Sequence, residues 1–398
     1  MITSTLDAMT LDLKTTYDRL YAYCANRDFA GHDPFDGLNS DVFQKLPIKN
    51  LRIARLAFLQ IVKRFPVDLR PFLQVREGVN PKAIALFALA EMARFRKSGN
   101  FRHYENTRIL LNRLLELKIA GEATSGESWS AFGYNFDWQS RYFFAPRGTP
   151  AIVPTAFASA AFEEASHLFD DERYADAVTE IAAFVVHKLN RFIETADEVC
   201  FSYTPLDSSV IYNASLLAGE CLARAAKFSD NSGYSQLAEK ALRFVVRRQR
   251  ADGAWVYGAS GKQAWVDNFH TAYVLLSIRR ITDALCLQDD DVESAFDRGL
   301  DYWLANFFLD DGTPKYYNEE VYPIDIHSAA VAIVAMSELG ETANAGRVAA
   351  WTCANMLDEH GYFYYQQRAN GLVETPYMRW GQGWMCYALA RLIEAENL

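Results

Sequence analysis

The sequence predicts an all-α fold, an (α/α)6 toroid of about six helical hairpins with an extra N-terminal helix. Three observations predict it: long segments with apolar residues at helical spacing, an alternation of two kinds of helix, and a motif recurring at a period of about 55–60 residues. The helical spacing is plain in Ala175, Ala177, Val178, Ile181, Ala182, Phe184 and Val185, and again in Leu237, Ala238, Ala241, Leu242 and Val245. Gly, Asp and Pro punctuate the loops between such segments.

One kind of helix is amphipathic with a charged face, at about 43–65, 103–118, 172–193, 233–250, 290–308 and 342–357. The other is rich in small residues and poor in charge, at about 82–97, 151–168, 209–227, 267–284, 325–339 and 379–394. Charged faces suit an outer ring in water, and small residues suit an inner ring where helices approach closely. A further helix at about 4–26 stands outside this count. With its following loop, over residues 1–40, it is expected to pack on a single toroid domain spanning 1–398.

The recurring motif lies in the loops from outer to inner helices. Aromatic residues come first, read as short β-hairpins: Trp255-Val256-Tyr257, Lys315-Tyr316-Tyr317 and Tyr362-Phe363-Tyr364-Tyr365. Polar inner-helix starts follow, and Asn268-Phe269-His270-Thr271-Ala272 aligns with Asp325-Ile326-His327-Ser328-Ala329. The competing architecture is an open helical solenoid, which shares the hairpins but encloses no central cavity.

Composition narrows the function classes. The chain has 398 residues, 50% hydrophobic and 23% charged, with a net charge of −10. That balance argues against nucleic acid, which needs a basic stripe, and disfavours binding to anionic membrane surfaces. The basic pairs Arg247-Arg248 and Arg279-Arg280 fall late in helices, where cations suit the dipole. The N-terminus lacks a basic region followed by an apolar one, and no apolar run is long enough to span a bilayer. The six cysteines are widely spaced, without metal-ligand spacing; most read as small core residues, and the chain reads as cytoplasmic and reduced.

In a toroid the inner-helix N-termini converge at one mouth, with free N–H groups and positive dipole ends. Candidate site residues collect there: Tyr203, Asp207, Tyr212 and Asn213; Trp265, Asp267, Asn268 and His270; Tyr317, Tyr322, Asp325 and His327; and Tyr365, Tyr377, Arg379, Trp380 and Gln382. The segment Tyr134-Asn135-Phe136-Asp137-Trp138, with Arg141, occupies the corresponding place in an earlier hairpin. Asp267 and Asp325 are most simply helix caps, and aromatic residues at helical spacing are usually core. Two histidines at one position of successive repeats favour a shared cavity.

Sugars offer hydroxyls to polar groups and ring faces to aromatics, and this rim supplies both. Proton abstraction beside a uronate carboxylate needs a base, a second proton-handling group and a carboxylate clamp. His270, His327, Tyr212, Tyr322 and Tyr377 fit the first two roles; Arg379, Asn213 and Asn268 fit the third. A hydrolase would instead use paired carboxylates, with Asp267 and Asp325 as the pair and Asp207 as a further candidate. A zinc site on the histidines and aspartates is not needed, nucleotide-binding motifs are absent, and no cofactor is expected.

The run Pro376-Tyr377-Met378-Arg379-Trp380-Gly381-Gln382-Gly383-Trp384 resembles the last inner helix of several six-hairpin glycan enzymes. Unsaturated glucuronyl hydrolases have a comparable Arg-Gly-Gln-x-Trp signature, although here Trp380 separates Arg379 from Gly381-Gln382. That run joins with Asp33-Pro34-Phe35-Asp36-Gly37-Leu38-Asn39-Ser40, Asp267-Asn268-Phe269-His270-Thr271, Lys315-Tyr316-Tyr317 and Tyr322-Pro323-Ile324-Asp325-Ile326-His327-Ser328. Together they resemble bacterial proteins of exopolysaccharide and capsule gene clusters. The resemblance implies a six-hairpin glycosidase-like architecture and a role in surface-glycan production, with membrane-bound polysaccharide assembly machinery as a candidate partner. Similarity to glucuronyl C5-epimerases, whose helical domains use tyrosines, points the same way. The resemblance leaves the reaction open among lyase, epimerase and hydrolase. A non-catalytic glycan-binding scaffold and a terpenoid-type toroid enzyme also remain, the latter without its Asp-rich motif.

Overall fold

The computed structural model describes residues 2–65, 67–140, 143–229 and 231–396, with side chains from residue 13 onward. The helices are α1 (Ile2–Ala25), α2 (Arg52–Arg64), α3 (Pro81–Ser98), α4 (Phe101–Glu116), α5 (Ile152–Leu168), α6 (Glu172–Lys188), α7 (Tyr212–Ala225), α8 (Ser232–Val246), α9 (Asn268–Leu285), α10 (Asp290–Phe307), α11 (Ile326–Glu338), α12 (Thr342–Met356) and α13 (Gly383–Ala395).

Six of them form the inner ring. Helix α3 packs on α5, α5 on α7, α7 on α9, α9 on α11 and α11 on α13, and α13 returns to α3. This last contact closes the ring and excludes the open solenoid. Inner helices are buried on nearly every side: all residues from Ile326 to Met336 in α11 and from Pro81 to Arg94 in α3. A helix apolar all round belongs inside. Small residues set the spacing. A Cβ on Gly219 of α7 would lie 3.1 Å from Ile281 of α9 and 3.3 Å from Ala241 of α8.

The outer ring comprises α4, α6, α8, α10, α12 and, in sixth place, α1. Helix α1 packs on α13 and buries Leu13, Tyr17, Leu20, Tyr21 and Cys24, with Tyr21 also meeting Phe87 of α3. Buried Glu91 of α3 fastens both neighbours, accepting from Tyr17 Oη of α1 and, at 2.6 Å, from Asn106 Nδ2 of α4. One helix is therefore surplus to the twelve, as expected, but it is α2 rather than α1. The reason is packing. Helix α2 buries only Leu59 and Val62, beside a small satellite core of Leu38 and Phe43, and packs on short loop elements over the mouth.

Glycines with φ near +90° mark the repeat. Gly253, Gly312 and Gly361 have φ of 90°, 91° and 92°, and each lies against the next outer helix. A Cβ there would meet the Arg298 carbonyl oxygen of α10 at 2.5 Å, the Arg347 carbonyl oxygen of α12 at 2.5 Å and Arg19 of α1 at 3.1 Å. The outer-to-inner loops carry short antiparallel hairpins, Ile119–Glu122 with Ser128–Ala131 and Arg191–Glu194 with Val199–Phe201. The aromatic segments near Tyr257 and Tyr317 make isolated bridges only, Ile211 to Gly258 and Asp267 to Tyr317.

Candidate active site

The N-terminal ends of five inner-ring helices and the π-helical turn before the sixth meet in one cavity of about 410 Å³, within the usual range for small-molecule sites. They supply Lys82 from α3, Val153 from α5, Asn213 from α7, His270 and Tyr273 from α9, His327 from α11, and Arg379 with Trp380 from the π-helical turn Met378–Gln382 before α13. Loops add Tyr134, Trp138, Tyr203, Tyr257, Trp265 and Tyr317, and α2 roofs the space with Leu56, Leu59, Gln60 and Lys63.

His270 is oriented from behind. Asp267 caps α9, its Oδ1 accepting from the His270 backbone N–H at 3.0 Å, while its Oδ2 lies 2.7 Å from His270 Nδ1 and accepts from Trp265 Nε1 at 2.9 Å. With Asp267 as acceptor, Nδ1 carries a hydrogen and Nε2 is the ring nitrogen left for the cavity. The imidazole remains partly exposed, at 21% of its side-chain area.

His327 is buried and held in one tautomer. Its Nδ1 donates to the Trp380 carbonyl at 3.0 Å, which can only accept, so Nε2 accepts from Tyr273 Oη at 3.1 Å. Tyr273 Oη in turn accepts from Lys82 Nζ at 3.3 Å. Burial, and next the neighbouring Lys82 charge, hold His327 well below its ordinary value, favouring neutral imidazole. Burial likewise pushes the Tyr273 phenol well above 10 and, with the Arg379 charge adding, drops Lys82 well below 10.5. The Trp380 ring stacks on His327 at 4.1 Å.

Arg379 comes from one end of the chain and its partner Asp33 from the other. Nε and Nη2 form a forked pair to Asp33 at 2.6 and 2.9 Å, leaving Nη1 outside that pair. The same two segments are tied again through Arg70, which donates to Asp36 at 2.7 Å and to Tyr377 Oη at 2.9 Å. Asn213 Oδ1 is buried with no hydrogen-bond partner among the described residues, an acceptor that a bound hydroxyl would satisfy. Lys63 reaches down from α2 over the Phe35 ring at 4.3 Å, and burial lowers its amine to about 8.

Several expected site residues lie behind the wall instead. Asn268 accepts from Trp303 Nε1 and donates to the Lys315 carbonyl, both at 2.9 Å, so it faces α10 rather than the cavity. Asp325 caps α11 and takes up Trp380 Nε1 and Gln366 Nε2, and Gln382 pairs with the Phe363 backbone. Asp207 is consumed by Thr204 and Ser209, Tyr212 packs on Phe244, and Tyr365 packs on Tyr377. Tyr322 is 41% exposed and lines no part of the cavity. For Asn268, Tyr212 and Gln382 the cause is helical geometry, since successive residues of one turn point about 100° apart and only some face inward. Arg141 lies outside the described residues.

Lys82, Lys63 and Tyr273 were not among the expected site residues, whereas Tyr134 of the expected segment does line the cavity. Lys82 had a signal: a cation in the first turn of an otherwise apolar helix start, Asn80-Pro81-Lys82-Ala83-Ile84, opposes the dipole. Among the described residues, the cavity wall carries Lys63, Lys82, Arg379 and two histidines, but no Asp or Glu.

No family model and no curated protein matches the chain. Solved structures do. An unsaturated glucuronyl hydrolase specific for heparin aligns over 98% of both chains with a TM-score of 0.62 at 13% identity. A cellobiose 2-epimerase from Bacillus thermoamylovorans B4167 aligns over 80% of this chain and 90% of its own, with a TM-score of 0.59 at 11% identity. A polysaccharide lyase aligns over 79% of this chain and 91% of its own, with a TM-score of 0.55 at 10% identity. What they share with this chain is the fold. It is the (α/α)6 toroid.

Proposed function

We propose that this protein is an enzyme that moves a proton at a carbon of an anionic sugar, acting as a lyase or epimerase on a uronic-acid-containing glycan. One observation carries the reading: a cavity walled by aromatic rings holds two imidazoles each hydrogen-bonded through Nδ1 and three basic side chains, with no carboxylate among its described lining residues. His270, aligned by Asp267, would take the proton beside the substrate carboxylate through Nε2. Arg379 and Lys63 would offset the charge that develops on that carboxylate. The Tyr273–His327 pair would return a proton, giving an epimer, or assist a leaving oxygen, giving an unsaturated product.

The hydrolase alternative needs two carboxylates facing the substrate. Asp267 and Asp325, its expected pair, are both occupied behind the wall. The names of the resembling structures, an epimerase, a lyase and a glucuronyl hydrolase, support a glycan substrate. The motif resemblance supports a setting in surface-polysaccharide formation.

The test is to incubate the protein with uronate oligosaccharides in deuterated water. Deuterium at a sugar carbon, or new absorbance near the ultraviolet limit from an unsaturated uronate, is expected. Asp267→Asn keeps the helix cap but loses the carboxylate behind His270, and should lower turnover by about 10²–10⁴-fold with melting little changed. New reducing ends without either signal would refute the reading.

A further inference from the structure

Residues 42–67 carry Lys45, Lys49, Arg52, Arg55, Lys63 and Arg64 and no acidic residue, in a chain whose net charge is −10. The whole-chain charge thus hides a local reversal, and it sits at the mouth of the cavity. Helix α2 turns Leu56, Leu59 and Lys63 inward. Its opposite face presents Ile53, Ala57 and Ile61 at four-residue spacing, continued by Phe65, and all four are exposed. Ile53 is 81% exposed, Ile61 54% and Phe65 47%, and the flanking Leu51, Val67 and Phe72 are 59%, 60% and 76% exposed. Arg52 and Arg64, at the two ends of α2, are exposed, as is Lys45 in a turn before it.

An isolated exposed leucine needs no explanation, but a contiguous apolar ridge rimmed by cations does. A second copy docking by a two-fold axis would set these cations against their own kind. A soluble polyanion would meet the cations and leave Ile53, Ile61 and Phe65 in water. An anionic bilayer matches both, with phosphates for the cations and the headgroup boundary for the apolar ridge. Among the described residues no helix is long and apolar enough to cross a membrane, so the contact is with its surface.

We infer that the outward face of α2 and its flanking turns docks on an anionic phospholipid surface, bringing the cavity mouth to the plane of the membrane. Binding needs no catalysis, so the inference stands or falls apart from the proposed reaction. The full chain is sedimented with vesicles of phosphatidylglycerol in phosphatidylcholine, and with phosphatidylcholine vesicles alone. Binding to the anionic vesicles, weakened by salt, is expected. Arg52→Gln with Arg64→Gln should lower partitioning about 30-fold, from two contacts of about 1 kcal/mol each. Ile53→Ser with Ile61→Ser should lower it at least tenfold, and unchanged melting would establish that both variants fold. Equal binding to neutral vesicles, or no effect of either variant, would overturn the inference. So would a wild-type dimer that the isoleucine variant dissolves, or binding to a soluble polyuronate that depends on the arginines alone.

Discussion

Substituting Lys63→Met should stabilise the protein at neutral pH while weakening its hold on an anionic ligand. The Lys63 amine is lowered from 10.5 to about 8, chiefly by burial, with Asp325 and Asp33 opposing the change from a distance. At 1.36 kcal/mol per pH decade, holding that amine ionised costs the folded state about 3 kcal/mol. The side chain keeps some contact with water, and allowing for screening leaves about 1–2 kcal/mol. The pH window follows from the direction of the change. Below pH 8 the amine is protonated in both folded and unfolded chains, so the full cost is present. Above 10.5 it is neutral in both, and the cost is gone. Urea unfolding of wild type and Lys63→Met between pH 7 and 11 reads this directly. The gain from methionine should be largest at pH 7 and shrink as pH rises through that window. A gain independent of pH, or a loss at pH 7, would refute the assignment of Lys63 as a buried cation held for function.

Asp33→Asn leaves the Arg379 guanidinium buried without its charge partner and should cost about 3–5 kcal/mol in thermal or urea unfolding. Asp33→Asn with Arg379→Met should recover most of that loss, because no unpaired charge then remains. Gly299→Ala should cost about 1–3 kcal/mol, since its Cβ would fall 2.3 Å from the Trp255 ring, which is wedged under α10. Gly261→Ala, with nothing within 4 Å of the new methyl group, is the matched control and should unfold like wild type.

The sequence carried the alternation of inner and outer helices because burial writes it into composition: α11 from Ile326 to Met336 has no water-facing side, whereas α10 keeps one. It was harder to tell which N-terminal helix completes the outer ring, because residues 4–26 and 43–65 are both amphipathic. Contacts between the two ends of the chain decide it, Asp33 with Arg379 and Gly361 against Arg19. A local signal was nonetheless present. Gly253, Gly312 and Gly361 recur once per hairpin with the same left-handed backbone, and each seats the next outer helix, so the helix facing Gly361 has to be an outer one. The site divides in the same way. His270 and His327 were legible because a repeat that places one first-turn side chain in the cavity places its counterpart there too. Asn268 was misplaced because it stands two residues before His270, about 200° around the helix, where α10 and not the cavity waits. Lys82 shows the converse. Only closure of the ring turns a lysine in an apolar helix start into a buried amine bonded to Tyr273, and through it to His327 on a helix more than two hundred residues further along the chain.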